Sequence, residues 1–238
     1  MQGGERLEMR TKFMMCLVAG AGMVADATSM SAQALERPDG WRTEVERFVA
    51  MPPGFHITTS ASSLLYHPEA TVDGEFVVES EGYLFAGDSP HAYGIFVGGR
   101  ELGSDAATWT SFEIALDGTW TIRSRRAEGD GLTRVEVVAG PRMGPVALPA
   151  AADSPALNSL RIETGGESVK FFVNDQLATN LPRSSIAVDG IVGFRIGAAL
   201  NLHLTTLSIT NDGETVSWAP QPADETDGEP TDGGENGL

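Results

Sequence analysis

The chain has 238 residues, 41% of them hydrophobic, with 28 Gly and 13 Pro, enough for one sizeable all-β core. Its formal charge of −17 repels phosphate backbones and anionic lipid, so neither nucleic acid nor a charged membrane surface is an expected partner. The same charge also keeps an exported protein soluble.

Residues 1–34 read as a secretory signal peptide. Arg10 and Lys12 precede a short apolar run over 13–25, and Ala32-Gln33-Ala34 supplies a small-x-small cleavage site. The run is shorter than the roughly 20 residues a membrane span needs. Starting at Met9 instead of Met1 gives a compact basic opening. Phe13, Met14 and Met15 stand where lipidation at Cys16 would need small residues. The expected location is therefore secreted or periplasmic. Cys16 is the sole cysteine, so the mature chain from Leu35 has no disulfide and its core must suffice.

Residues 35–53 form a lead-in. Asp39 fits the cap of a short N-terminal helix that places Trp41, Val45, Phe48 and Val49 on one stripe and ends at Pro52-Pro53. From residue 54 to 218 the chain reads as strand after strand. Strands are predicted over 55–60, 63–66, 75–86, 92–97, 109–116, 120–125 and 132–138. The two around Asp117-Gly118 decide their own loop length. A three-residue loop, Asp117-Gly118-Thr119, brings Phe112, Ile114, Leu116, Trp120 and Ile122 to one face and sets Glu113 opposite Arg123, with Gly118 left-handed. The Gly-, Pro- and Ala-rich stretch 139–155 has no strong period and reads as a long loop, either functional or mobile.

Residues 158–181 carry two consecutive hairpins. A Gly165-Gly166 turn sets Ile162 opposite Val169 and Leu160 opposite Phe171, and Asn174-Asp175 turns the chain again. Strands over 186–196 and 202–210 follow, then a turn at Asn211-Asp212-Gly213 and a last short strand at 216–218. The tail 219–238 has six acidic residues, no basic ones and no apolar period, and reads as disordered. The expected fold is all-β, a two-sheet antiparallel sandwich of the jelly-roll kind.

Three segments carry a family resemblance: Leu160-Arg161-Ile162, the run Val169 through Leu177, and Gly190-Ile191-Val192-Gly193-Phe194-Arg195. Together they resemble the C-terminal half of concanavalin A-like lectin/glucanase domains. Tyr93-Gly94-Ile95-Phe96-Val97 and Phe112-Glu113-Ile114-Ala115-Leu116-Asp117-Gly118 are similar to strands of the 3-keto-disaccharide hydrolase (domain of unknown function 1080) branch. The resemblance spans roughly 55–210, and its motifs are mostly structural. Asp175 stands where the family's turn has Gly. The resemblance implies a sugar ligand or, in glycan-cleaving members, acidic residues on one strand face.

Here Glu75, Glu79 and Glu81 share such a face, and the pair Glu79 and Glu81 are the catalytic candidates together with His203. The alternative for both glutamates is a solvated sheet face. The four histidines, His56, His67, His91 and His203, have no zinc-site spacing, and no metal or cofactor is assigned. Calcium stays open, because sandwiches of this kind sometimes bind it in acidic loops, although no EF-hand spacing is present.

Sugar binding needs aromatic surfaces for the apolar ring face and polar groups for the hydroxyls. Tyr83, Tyr93, Trp109, Arg123, Arg125 and Arg195 are the candidates. Arg123 and Arg125 share the face opposite Trp120 and Ile122, where cross-strand pairing with Glu113 is the competing use. Three readings follow: a non-catalytic sandwich that binds a glycan or other extracytoplasmic ligand, a glycoside hydrolase of the 3-keto-disaccharide kind, and a structural module of the cell envelope. The oligomeric state is left undetermined.

Overall fold

A computed structural model describes residues 47–52, 54–129 and 132–218. The first seven strands in chain order are β1 (Arg47–Ala50), β2 (Phe55–Thr58), β3 (Ser63–Val72), β4 (Phe76–Leu84), β5 (Ala92–Arg100), β6 (Thr108–Ala115) and β7 (Thr119–Ala127). Then come β8 (Thr133–Met143), β9 (Ala156–Gly165), β10 (Ser168–Val173), β11 (Gln176–Pro182), a 3-10 turn (Arg183–Ser185), β12 (Gly190–Ile196), β13 (Asn201–Asn211) and β14 (Glu214–Trp218).

They form two antiparallel sheets packed face to face, the predicted sandwich. An eight-stranded sheet runs β1-β2-β13-β4-β9-β10-β11, with β14 also on β13. A six-stranded sheet runs β3-β12-β5-β6-β7-β8. Alternate residues of each sheet meet in one apolar layer. Phe112 and Phe171, from opposite sheets, approach to 5.3 Å between ring centres, and Phe55 and Phe194 to 5.9 Å. Each such fully buried ring contributes roughly 1.5–3 kcal/mol over leaving it in water.

The predicted N-terminal helix is not formed where the chain is described. Residues 47–50 are β1, paired to β2, so Phe48 turns inward onto Phe55 at 4.9 Å while Val49 turns out. Period-2 burial and a free edge on β2 outweigh the helical stripe there. Asp39, Trp41 and Val45 lie outside the described residues, as do the signal segment 1–34 and the tail 219–238.

Two hairpins form with their turns displaced by one residue. In the first, Gly165 pairs with Ser168, so Gly166 and Glu167 make the loop, Ile162 faces Phe171 and Leu160 faces Val173. Moving a turn by one residue moves the register by two, so the apolar faces still coincide. Gly166 has φ +55 and its N–H donates to Glu75 Oε1 at 2.8 Å, which holds the loop at that position. In the second, the loop has three residues and Gly118 is left-handed at φ +81, but it comprises Leu116, Asp117 and Gly118. Asp117 Oδ1 accepts from the Thr119 N–H at 2.9 Å and from its hydroxyl at 2.6 Å, drawing Thr119 into β7. Those hydrogen bonds also lower the Asp117 pKa. Ile114 therefore faces Trp120, Phe112 faces Ile122, and Arg123 faces Ser111 instead of Glu113.

The expected loop over 139–155 is shorter than its composition implied, because β8 continues to Met143 along β7. What remains is held by two asparagines. Buried Asn158 accepts the Ala147 N–H at 2.7 Å and donates to the Ala147 carbonyl at 3.0 Å. Asn174, in the β10–β11 turn, donates to the Pro145 carbonyl at 2.7 Å and to Asn158 Oδ1 at 3.0 Å.

Candidate functional site

The outward side of the six-stranded sheet carries a row of four residues on adjacent strands. Arg195 of β12 pairs with Gly94 of β5, Gly94 with Glu113 of β6, and Glu113 with Thr121 of β7. The odd-numbered residues of β6 and β7 point outward because Phe112, Ile114, Trp120 and Ile122 fill the core. Gly94 leaves no side chain between the guanidinium of Arg195 and the carboxylate of Glu113.

Glu113 is buried, with 4% of its surface exposed. Its Oε1 accepts from the Ser111 hydroxyl at 2.5 Å, and its Oε2 lies 3.4 Å from Arg123 Nε. The pairing with Arg123 inferred from sequence therefore exists, as a diagonal contact across the hairpin. The Arg123 side chain stays 38% exposed.

Arg195 lies over Trp109, its guanidinium carbon 5.6 Å from the ring centre, and its Nη1 donates to the Ile196 carbonyl at 2.7 Å. Burial lowers the Arg195 pKa; Glu113 opposes that shift and Arg123 adds to it. Two guanidinium groups thus share one buried carboxylate, a local excess of positive charge on a chain of net charge −17. Trp109 is 4% exposed, so it supports Arg195 from beneath and is no open stacking platform.

The other candidates make different contacts. Arg125 pairs with Trp109 across the hairpin, but its Nε donates to Thr133 Oγ1 and its Nη2 to the Asp105 carbonyl, both at 2.8 Å. It braces the start of β8 against the loop before β6. Tyr93 contradicts its assignment as a ligand contact. It is 2% exposed and points between the sheets, with its hydroxyl donating to the Gly82 carbonyl at 3.3 Å. Burial pushes its phenol well above the usual range, opposed in part by Asn158. The reason is parity: Tyr93 shares the inward face with Ile95 and Val97.

Tyr83 and His203 face each other on β4 and β13 of the eight-stranded sheet, their rings 5.8 Å apart. His56 joins them, 6.4 Å from His203, with Nε2 and Asn201 Oδ1 at 2.5 Å. Glu79 and Glu81 are exposed on this same sheet, along a shallow groove of about 270 Å³. Arg161 meets Glu79 at 3.3 Å, pairs with Glu163, approaches Asp175 at 3.9 Å and lies 3.9 Å from the Phe172 ring centre. Around Arg161 one cation meets Glu79, Glu163 and Asp175, an excess of acidic groups that is the reverse of the Arg195–Glu113–Arg123 cluster.

Sequence reasoning missed Gly94 and Ser111 as parts of the cluster. The alternation in Ser111-Phe112-Glu113 places Ser111 and Glu113 on one face, but only the sheet order brings Arg195 to them. Among the described residues no three His, Cys, Asp or Glu side chains converge as a metal site, and no helix is long and apolar enough to cross a membrane.

The two sheets and their order define a two-sheet antiparallel β-sandwich. Among solved structures the chain is similar to the carbohydrate binding module CBM66 from Bacillus subtilis. The identity is 13% and the TM-score 0.53, covering 75% of this chain and 99% of that one. It is also similar to a Bacillus subtilis protein of unknown function with a galectin-like fold, at 14% identity and TM-score 0.52, over 71% of this chain and 88% of that one. No protein-family model and no curated protein matches the sequence.

Proposed function

We propose that this chain is an exported, non-catalytic carbohydrate-binding sandwich whose ligand docks on the outward face of the six-stranded sheet. The observation that carries this reading is the cluster of Arg195, Glu113 and Arg123 above Trp109. Arg123 offers forked donors to ring hydroxyls, and Glu113 together with Ser111 holds it in place. The sandwich's likeness to a carbohydrate binding module supports the same reading.

The test is a glycan array probed with the full chain, with and without calcium. Selective retention of one glycan family, lost in Arg123→Ala, is the expected result. Folded protein that retains no glycan overturns the reading.

A hydrolase of the 3-keto-disaccharide kind is the second reading, and the groove along Glu79 and Glu81 is the observation that favours it. Turnover of a keto-disaccharide that Glu81→Gln abolishes would establish it. The third reading, an envelope module, draws on the exposed Val135 and Val137 of edge strand β8. Its test is capture of a defined envelope partner that Val137→Lys abolishes.

A further inference from the structure

The cluster on the six-stranded sheet has more donors than acceptors. Arg123 uses Nε toward Glu113, and Arg195 uses Nη1 toward the Ile196 carbonyl. Among the described residues, the remaining guanidinium N–H groups of both arginines meet no hydrogen-bond acceptor. Glu113 is already engaged by Ser111 and Arg123. A neutral sugar hydroxyl both donates and accepts, so it would fill such a site with its donor capacity unused. A carboxylate only accepts, carries the missing negative charge and matches a guanidinium in two parallel hydrogen bonds. Arg195 is held by burial where water screens its interactions poorly.

We propose that the glycan recognised at this face bears a carboxylate, as in a uronate residue, which docks between Arg123 and Arg195. This rests on the carbohydrate-binding reading and names its ligand class. The −17 net charge defines the expected ligand further. A densely charged polyanion is repelled by the rest of the surface, whereas a single carboxylate on an otherwise neutral oligosaccharide meets the local excess of positive charge at short range. Steric access agrees with the charge argument, since Gly94 leaves the sheet surface between Arg195 and Glu113 free of a side chain.

The experiment uses the full chain and short glucuronate, galacturonate and mannuronate oligosaccharides, each beside its carboxyl-reduced neutral counterpart, with affinity read by calorimetry. The expected result is one configuration in which the acid binds roughly tenfold or more tightly than its neutral partner, the weight of one charge-assisted contact. Arg123→Gln should bring that pair to about equal affinity, and circular dichroism checks that the variant is folded. Because Arg123 is partly exposed, this variant tests the site with less risk to folding than Arg195→Gln. A neutral sugar bound as well as or better than its acid overturns the proposal and leaves the carbohydrate reading standing. Binding of none of the pairs, acidic or neutral, overturns the proposal and counts against the carbohydrate reading too.

Discussion

Arg195 and Glu113 lie at matching positions on β12 and β6, with Gly94 of β5 the one residue between them. A Cβ at position 94 would stand 1.8 Å from the Phe112 carbonyl oxygen and 2.7 Å from Glu113 Cα. Both are backbone atoms of a central strand and cannot rotate away. Gly94→Ala should therefore destabilise the fold by about 3 kcal/mol or more, at the upper end of overpacking costs. Urea denaturation measures it; a cost under about 0.5 kcal/mol would mean that β5 and β6 separate freely.

Glu113→Gln removes the negative charge that Arg123 and Arg195 share, while leaving a partner for the Ser111 hydroxyl. The expected loss is about 1–3 kcal/mol, because Glu113 is buried but Arg123 reaches solvent. If charge balance is the cause, the double variant Glu113→Gln/Arg123→Gln recovers part of that loss. A thermodynamic cycle of the two single variants and the double gives the coupling directly.

Tyr93 predicts an alkaline effect. Its folded pKa is raised, chiefly by burial, so the unfolded chain releases the phenolic proton first as pH rises past about 10. The native state then holds more protons than the unfolded one, and stability falls with increasing pH. The limit is about 1.4 kcal/mol per pH unit, with no contribution from this group below the unfolded pKa. Tyr93→Phe should flatten that slope between about pH 10 and 11.5, cost about 1 kcal/mol at neutral pH, and leave glycan retention unchanged. Denaturation midpoints against pH decide the first two points, and the array decides the third.

Asn158 is fully buried and fastens the segment after β8 at Ala147. Asn158→Ala leaves the Ala147 amide and carbonyl without those partners and should cost about 2–3 kcal/mol. The residues between Met143 and Ala156 then become the first site of limited proteolysis. An unchanged cleavage map would show that Asn174 alone holds the segment.

Asp175 sits at φ +61, beside Asn174 at φ +48, in a two-residue hairpin loop that favours Gly at its second position. Its contact with Arg161 is 3.9 Å with the Asp175 side chain 90% exposed, so little is lost with it. Asp175→Gly should be neutral or stabilising by up to about 1 kcal/mol, read as a rise in the thermal midpoint.

Much of the fold was legible because its signals are local. Alternation in Phe112-Glu113-Ile114 and in Trp120-Thr121-Ile122 assigned the inward faces correctly. The Asn174-Asp175 turn formed where its residue types place it. Both displaced turns kept those faces, since a two-residue register change preserves parity. Two errors arose where a distant partner acts, Glu75 on the Gly166 amide and β2 pairing with Phe48 in place of a helical stripe, and a third where Asp117 caps Thr119 two residues on. Tyr93 was misassigned for a different reason. Its neighbours Ile95 and Val97 already marked it as inward, but its ring chemistry invited a ligand role.

By itself the sequence determined the sandwich class, most strands and the side of the sheet that Arg123 and Glu113 share, because a period of two is written within a few consecutive residues. Only the tertiary structure decided that Arg195 joins them while Tyr83, His203, Glu79 and Glu81 stand on the other sheet. That outcome depends on β12 lying between β3 and β5. Strand order is a pairing between segments far apart in the chain, chosen by the packing of the whole core and carried by no single stretch of it.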